Sequence, residues 1–150
     1  MDHRVFVYGT LLRGEANHGL LAGAALLGPH RTAPGYTLYS LGAYPGLVTG
    51  GGTAVNGEVY RVDDGGLALL DRLEDYPRLY GRRLIVTSYG RAWVYLYRGS
   101  IRDRPVLASG DWRDHSRGRS AVRAGAVRGR RDPKNPTRRL RLGSCADEAR

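Results

Sequence analysis

Short apolar runs, each cut off by glycine or proline, fill the first 115 residues and leave room for few helices. Punctuation this frequent holds most runs to strand length. Arg4-Val5-Phe6-Val7-Tyr8 is β-branched and aromatic and stops at Gly9. Thr37–Leu41 alternates and stops at Gly42. Leu47-Val48-Thr49 precedes Gly50-Gly51-Gly52, which predicts a turn, and Ala54–Val62 reads as a longer strand. Arg83–Tyr89 and Arg91–Tyr97 flank Gly90 and predict a tight hairpin, although one residue is short for a two-residue turn. Two segments carry helical spacing instead. Apolar residues at 20, 21, 24 and 27 predict a short helix over 17–27. Asp63-Asp64 offer helix-start oxygens ahead of Leu67, Leu69, Leu70 and Leu73, and Pro77 closes that second helix. Many strands with two helices give an α+β class, in which a mixed sheet can curl into a small barrel.

The chain of 150 residues suits one domain that buries a core without staples. A single cysteine, Cys145, excludes an intramolecular disulfide and a cysteine-based metal site. His3, His18, His30 and His115 show no ligand spacing, so no metal site is expected. The N-terminus lacks a signal-peptide pattern and no apolar run is long enough to cross a bilayer; a soluble, cytoplasmic protein is expected. The net charge of +10 is concentrated at the end: 116–150 carries 10 Arg and 1 Lys against 2 Asp and 1 Glu. That segment lacks apolar periodicity and is expected to be a disordered basic tail, with 1–115 as the folded domain. It contains no Phe, Trp or Tyr, so any contact with nucleic acid would rest on phosphate attraction alone.

Two segments could carry chemistry. In Val7-Tyr8-Gly9-Thr10-Leu11, a strand delivers the chain to a glycine, and the amides of Gly9, Thr10 and Leu11 could converge on an anion. An ordinary strand-to-helix turn fits the same residues. A Walker-type phosphate loop is excluded, because no Gly-Lys-Ser/Thr follows. In Leu69–Arg83, Glu74 falls at the C-terminal end of an apolar helix, where the dipole disfavours a carboxylate. Partial burial there would raise its pKa and suit it to proton transfer; a solvated acid fits the spacing equally. Arg13, Arg78 and Arg82 could attract an anion or simply be solvated, and Trp93 and Trp112 read as core.

The two segments in this order resemble the γ-glutamylcyclotransferase-like superfamily, in particular its small branch that includes γ-glutamylamine cyclotransferase. The resemblance rests on Tyr8-Gly9-Thr10-Leu11 near the N-terminus and on Leu73-Glu74-Asp75-Tyr76-Pro77 followed by Tyr80 and Arg82. It extends to Tyr95 and Tyr97 and to Ser109-Gly110-Asp111-Trp112, covering about residues 4–113. It implies a small mixed β-barrel flanked by a few α-helices, with a cavity at the Tyr8–Leu11 turn. It also implies a reaction: the α-amino group of a γ-glutamyl amine attacks the γ-carbonyl, giving 5-oxoproline and a free amine. Glu74 would be the general acid/base and Tyr8, Gly9, Thr10, Leu11, Tyr80 and Tyr95 would bind substrate. Tyr8 or Tyr95 would supply a further hydroxyl. No metal or cofactor is needed, and such a barrel stands as a monomer or weak dimer. Asp75 departs from the family's commoner glycine and would add a second carboxylate near Glu74. Two other readings are a non-catalytic binder of small carboxylates and a polyanion-binding protein acting through its tail.

Overall fold

β1 (His3–Val7) is the axis of the fold. Its side chains alternate, Val5 and Val7 entering one hydrophobic cluster and Phe6 a second. A strand buried on both faces also needs partners at both edges. β1 pairs antiparallel with β5 (Asn56–Val62) and parallel with β7 (Gly90–Tyr97). β2 (Ala25–Arg31) adds to β5, and β6 (Tyr80–Thr87) adds to β7. The sheet order is therefore β2-β5-β1-β7-β6. β3 (Tyr36–Ser40) and β4 (Pro45–Thr49) make a separate antiparallel pair. The computed structural model describes residues 1–117; residues 118–150, nearly all of the expected tail, lie outside the described residues.

α1 (Asp64–Leu73) covers one face of the sheet. The Asp63 carboxylate accepts from the Gly66 amide at 2.7 Å, the N-cap that the Asp63-Asp64 pair promises. Leu67, Leu70 and Leu73 then pack with Val5, Val7, Tyr60 and Tyr80. Leu38 and Leu47 bring the β3–β4 pair against Phe6, Val59 and Val94 on the other face. Phe6, Leu38, Leu47 and Leu70 are wholly buried, and each such side chain stabilises the fold by about 1.5–3 kcal/mol.

Two expectations need correction. The helix expected over 17–27 is a 3-10 turn at His18–Leu21 followed by β2. Its apolar residues serve two clusters: Leu20, Leu21 and Ala24 join the α1 side, Leu27 the β3–β4 side. Pairing with β5, with an irregularity between Leu26 and Gly28, outweighs a helical preference already weakened by Gly19 and Gly23. The hairpin turn is Ser88-Tyr89 rather than Gly90, because Gly90 already pairs with Thr87. The Thr87 hydroxyl donates to Gly90 O at 2.6 Å and accepts from the Tyr89 amide at 3.0 Å. The mixed α+β class holds, but the five-stranded sheet has ends at β2 and β6, which do not pair among the described residues. The hairpin tip still leans towards β2. Gly28 has φ +148°, and a Cβ there would sit 2.0 Å from the Tyr89 hydroxyl.

The chain returns to the body at Trp112, which is buried as expected. Its indole N–H donates to Glu15 Oε1 at 3.1 Å, and the Ser116 hydroxyl donates to Glu15 Oε2 at 2.9 Å. The boundary expected between 115 and 116 thus falls inside a helical stretch, 112–117, that is tied to the domain. No helix among the described residues is long and apolar enough to cross a membrane.

Candidate active site

β1 ends by delivering Tyr8 and Gly9 to a buried turn. The Leu12 amide donates to Gly9 O at 3.1 Å, and the Asn17 backbone amide donates to Thr10 O at 2.7 Å. The Asn17 side-chain amide adds a bond to Thr10 Oγ1 at 2.9 Å. These bonds occupy carbonyls. The amides of Gly9, Thr10 and Leu11 donate to no protein acceptor among the described residues, although all three residues are buried. Buried N–H groups are nearly always paired, so three in a row without a partner mark a place for an acceptor from outside. Gly9 is required there by space: a Cβ would lie 2.6 Å from Pro45 Cγ and 2.8 Å from Pro45 Cδ. A proline ring cannot swing aside. Gly9→Ala is expected to cost ~1–3 kcal/mol, read as a lower urea midpoint at unchanged slope. An unmoved midpoint would show that the turn has slack.

Glu74 caps the C-terminus of α1, and its amide donates to Leu70 O at 3.0 Å. Burial of Leu67, Leu70 and Leu73 fixes the rotation of the helix and so the side from which Glu74 leaves it. Asp75 then takes a left-handed φ of +53°, which is why glycine suits this position. Its carboxylate pairs with Arg78 and lies outside the cavity lining, so it is not the companion acid expected for Glu74. A cis Tyr76–Pro77 bond leads on to β6.

The two segments meet. Tyr8, Gly9, Thr10 and Leu11 line one cavity with Glu74, Tyr80 and Tyr95, every site residue expected from the sequence. Phe6, Val7, Tyr44 and Pro45, which sequence reasoning missed, complete the lining. The free space, including its opening to solvent, is about 380 Å³. Three tyrosine hydroxyls there donate to protein acceptors: Tyr8 to Tyr95 O at 2.8 Å, Tyr80 to Pro45 O at 2.7 Å, and Tyr95 to Asp71 Oδ1 at 2.6 Å. Burial, followed by the negative charge of Glu74, holds the Tyr8 phenol well above its ordinary pKa. Burial, the Asp71 hydrogen bond and the charges of Asp71 and Glu74 do the same for Tyr95. Both therefore stay protonated at neutral pH.

The arginines considered from the sequence are engaged elsewhere. Arg82 forks onto Asp71 through Nε at 2.8 Å and a terminal nitrogen at 3.0 Å. Its guanidinium lies over the rings of Tyr76 and Trp93, 4.5 and 4.2 Å from their centroids. Arg13 binds Glu58, a carboxylate on β5 that is only 3% exposed. Glu58 Oε1 accepts from the Arg13 amide at 3.1 Å and from the Tyr60 hydroxyl at 3.0 Å. Burial and then this bond push the Tyr60 pKa up to about 12. Glu58 thus pins the backbone two residues beyond Leu11. An acid inside the strand-like Gly57-Glu58-Val59-Tyr60 was the sequence signal for it. Among the described residues, no cluster of three or more His, Cys, Asp or Glu side chains is placed to hold a metal ion.

A family model described as "Gamma-glutamyl cyclotransferase, AIG2-like" matches residues 5–114. The chain belongs to that family. It is 46% identical over 114 residues to the gamma-glutamylcyclotransferase family protein YtfP of Escherichia coli K12, covering 76% of this chain and 99% of YtfP. The human protein named gamma-glutamylaminecyclotransferase is 42% identical over 90 residues, 54% of this chain and 59% of its own length. An aig2-like protein from Mus musculus shares the fold with a TM-score of 0.64 and 31% identity, covering 73% of this chain and 88% of the mouse chain. Membership of the gamma-glutamyl cyclotransferase family makes the chain an enzyme of that class and accounts for the order in which the turn and the acid occur.

Proposed function

We propose that this enzyme releases 5-oxoproline and a free amine from a γ-glutamyl amine or a γ-glutamyl-protected metabolite. The observation that carries the reading is the pairing, in one cavity, of undonated amides at Gly9, Thr10 and Leu11 with the carboxylate of Glu74. The substrate brings its own nucleophile, the α-amino group. The cavity has to fold the chain so that this nitrogen meets the γ-carbonyl, and well-oriented intramolecular steps reach effective molarities of about 10⁵–10⁸ M. Glu74 takes a proton from the α-ammonium. The new N–C bond closes a five-membered ring, and the tetrahedral oxyanion collapses as the γ-carbon–amine bond breaks. Glu74 returns the proton to the departing nitrogen, and the second proton, shed by the ring nitrogen as it becomes a lactam N–H, leaves with the amine as its ammonium. The turn amides hold the α-carboxylate or the oxyanion. Neither Tyr8 nor Tyr95 has a proton left for that oxyanion, since each already donates within the protein. The amine of the human relative's name makes γ-glutamyl amines the first substrates to try.

The test is a panel of γ-glutamyl amines and γ-glutamyl amino acids incubated with the full chain. Mass spectrometry is expected to find 5-oxoproline and the matching amine in equal amounts. Saturable binding without product across the panel would overturn this reading in favour of a carboxylate-binding module.

A further inference from the structure

Asp71 lies one helical turn before Glu74, on the same side of α1. It does not line the cavity, yet it accepts the proton of a hydroxyl whose ring does. A phenol has one proton to donate and two lone pairs to offer. With its proton held by Asp71, the Tyr95 oxygen can only accept. Tyr8 also gives its proton away, to Tyr95 O, but its oxygen is already met by the Leu47 backbone amide, so it is no acceptor for the amine. Tyr95 lines the same cavity as Glu74 and feels its charge. On the Glu74 side Tyr95 therefore presents an acceptor, while the turn at Gly9, Thr10 and Leu11 offers donors. Asp71 is held in this orientation by the Arg82 fork, and Arg82 by the two aromatic rings over which it lies.

We propose that Asp71 is a positioning residue which, by fixing the direction of the Tyr95 hydroxyl, makes the Glu74 side of the cavity a receptor for the hydrogen atoms of an amine and leaves that amine's lone pair unengaged. This rests on the reading above and adds a reason for the chemistry. An amine that has given one proton to Glu74 keeps two N–H groups. The carbonyl oxygen of the Glu74 carboxyl and the acceptor-only oxygen of Tyr95 bind those two and turn the lone pair away from themselves, towards the γ-carbonyl. A hydroxyl free to donate would instead bond the lone pair and block attack.

The probes are L-glutamate and glutarate, which differ only in the α-amino group, titrated calorimetrically into the full chain. The wild type is expected to favour L-glutamate by about tenfold or more, as hydrogen bonds to a charged group allow. Asp71→Asn keeps the shape, but its amide can donate to the Tyr95 oxygen and turn that proton into the cavity. The preference is then expected to fall below about threefold, with glutarate affinity held within about twofold. Tyr95→Phe removes the acceptor outright and is expected to lower the preference likewise, which keeps the question open to decision if Asp71→Asn fails to fold. An unchanged preference in either folded variant overturns the proposal, as does a wild type that binds glutarate equally well. A protein that prefers L-glutamate yet makes no 5-oxoproline defeats the proposed reaction and leaves the amine receptor standing. Turnover without that preference does the reverse.

Discussion

Glu74→Gln is expected to leave the domain folded and to slow 5-oxoproline release by about 10²–10⁴-fold, the usual contribution of a positioned acid/base. Gln has nearly the same shape, and the cap that residue 74 gives α1 is made by its backbone amide. Packing of Leu67, Leu70 and Leu73 is untouched. What is lost is a group that can hold a proton between the α-nitrogen and the departing one. Residual rate above that in buffer is expected, because the cavity still folds the substrate into attack geometry. KM should move little beside kcat, as the turn amides remain. The measurements are initial rates of 5-oxoproline formation and a thermal melt of each protein. Full turnover in a folded Glu74→Gln enzyme would remove Glu74 from the chemistry.

Glu58→Ala is expected to have the largest effect on stability, about 2–5 kcal/mol, because two donors lose their buried acceptor. The change strands the Arg13 amide and the Tyr60 hydroxyl, and leaves Arg113, 3.9 Å from Glu58 Oε2, with Asp111 alone. The Arg13 side chain itself is 65% exposed and can turn to water, so it contributes little to that sum. Glu58→Gln keeps an oxygen for the amide and the phenol and is expected to cost about 1–2 kcal/mol. Urea unfolding of both variants checks the order. Equal costs for Ala and Gln would mean that the charge, not the acceptor, matters. Because Glu58 anchors the chain just past Leu11, KM should rise in whatever fraction of Glu58→Ala remains folded.

The strands were legible where apolar residues alternate between two punctuating residues, as at Val5–Tyr8 and Thr37–Leu41. α1 was legible from its cap and its leucines together. β2 was not. Its leucines divide between the two faces of a sheet whose other strands come from much later in the chain, so a pattern read within the segment has no access to the partner that decides it. Glu74 and the Tyr8–Leu11 turn were found through a resemblance of order and spacing, which geometry alone would have left open. Tyr44-Pro45 looked like any connection between short strands, and its place at the cavity comes from the folding of β4 against β7. Asp71 and Arg82 are 11 positions apart on different elements. Nothing local links them, and their bond exists only because the hairpin crosses beside α1.

The parallel union of β1 with β7 also has a cost in time. Val5 faces Tyr60 on one side and Trp93 on the other. A ribosome extends its product at about 5–20 residues per second, so the molecule's earliest ribbon waits roughly 5–20 s for its last neighbour to be translated. Through that interval its bare amides and carbonyls are open to any foreign strand, most readily that of a sister polypeptide on the same messenger. Slow codons placed after Tyr60 and before Trp93 would lengthen the exposure, and aggregates gathered from such a gene should be rich in nascent chains cut short of β7.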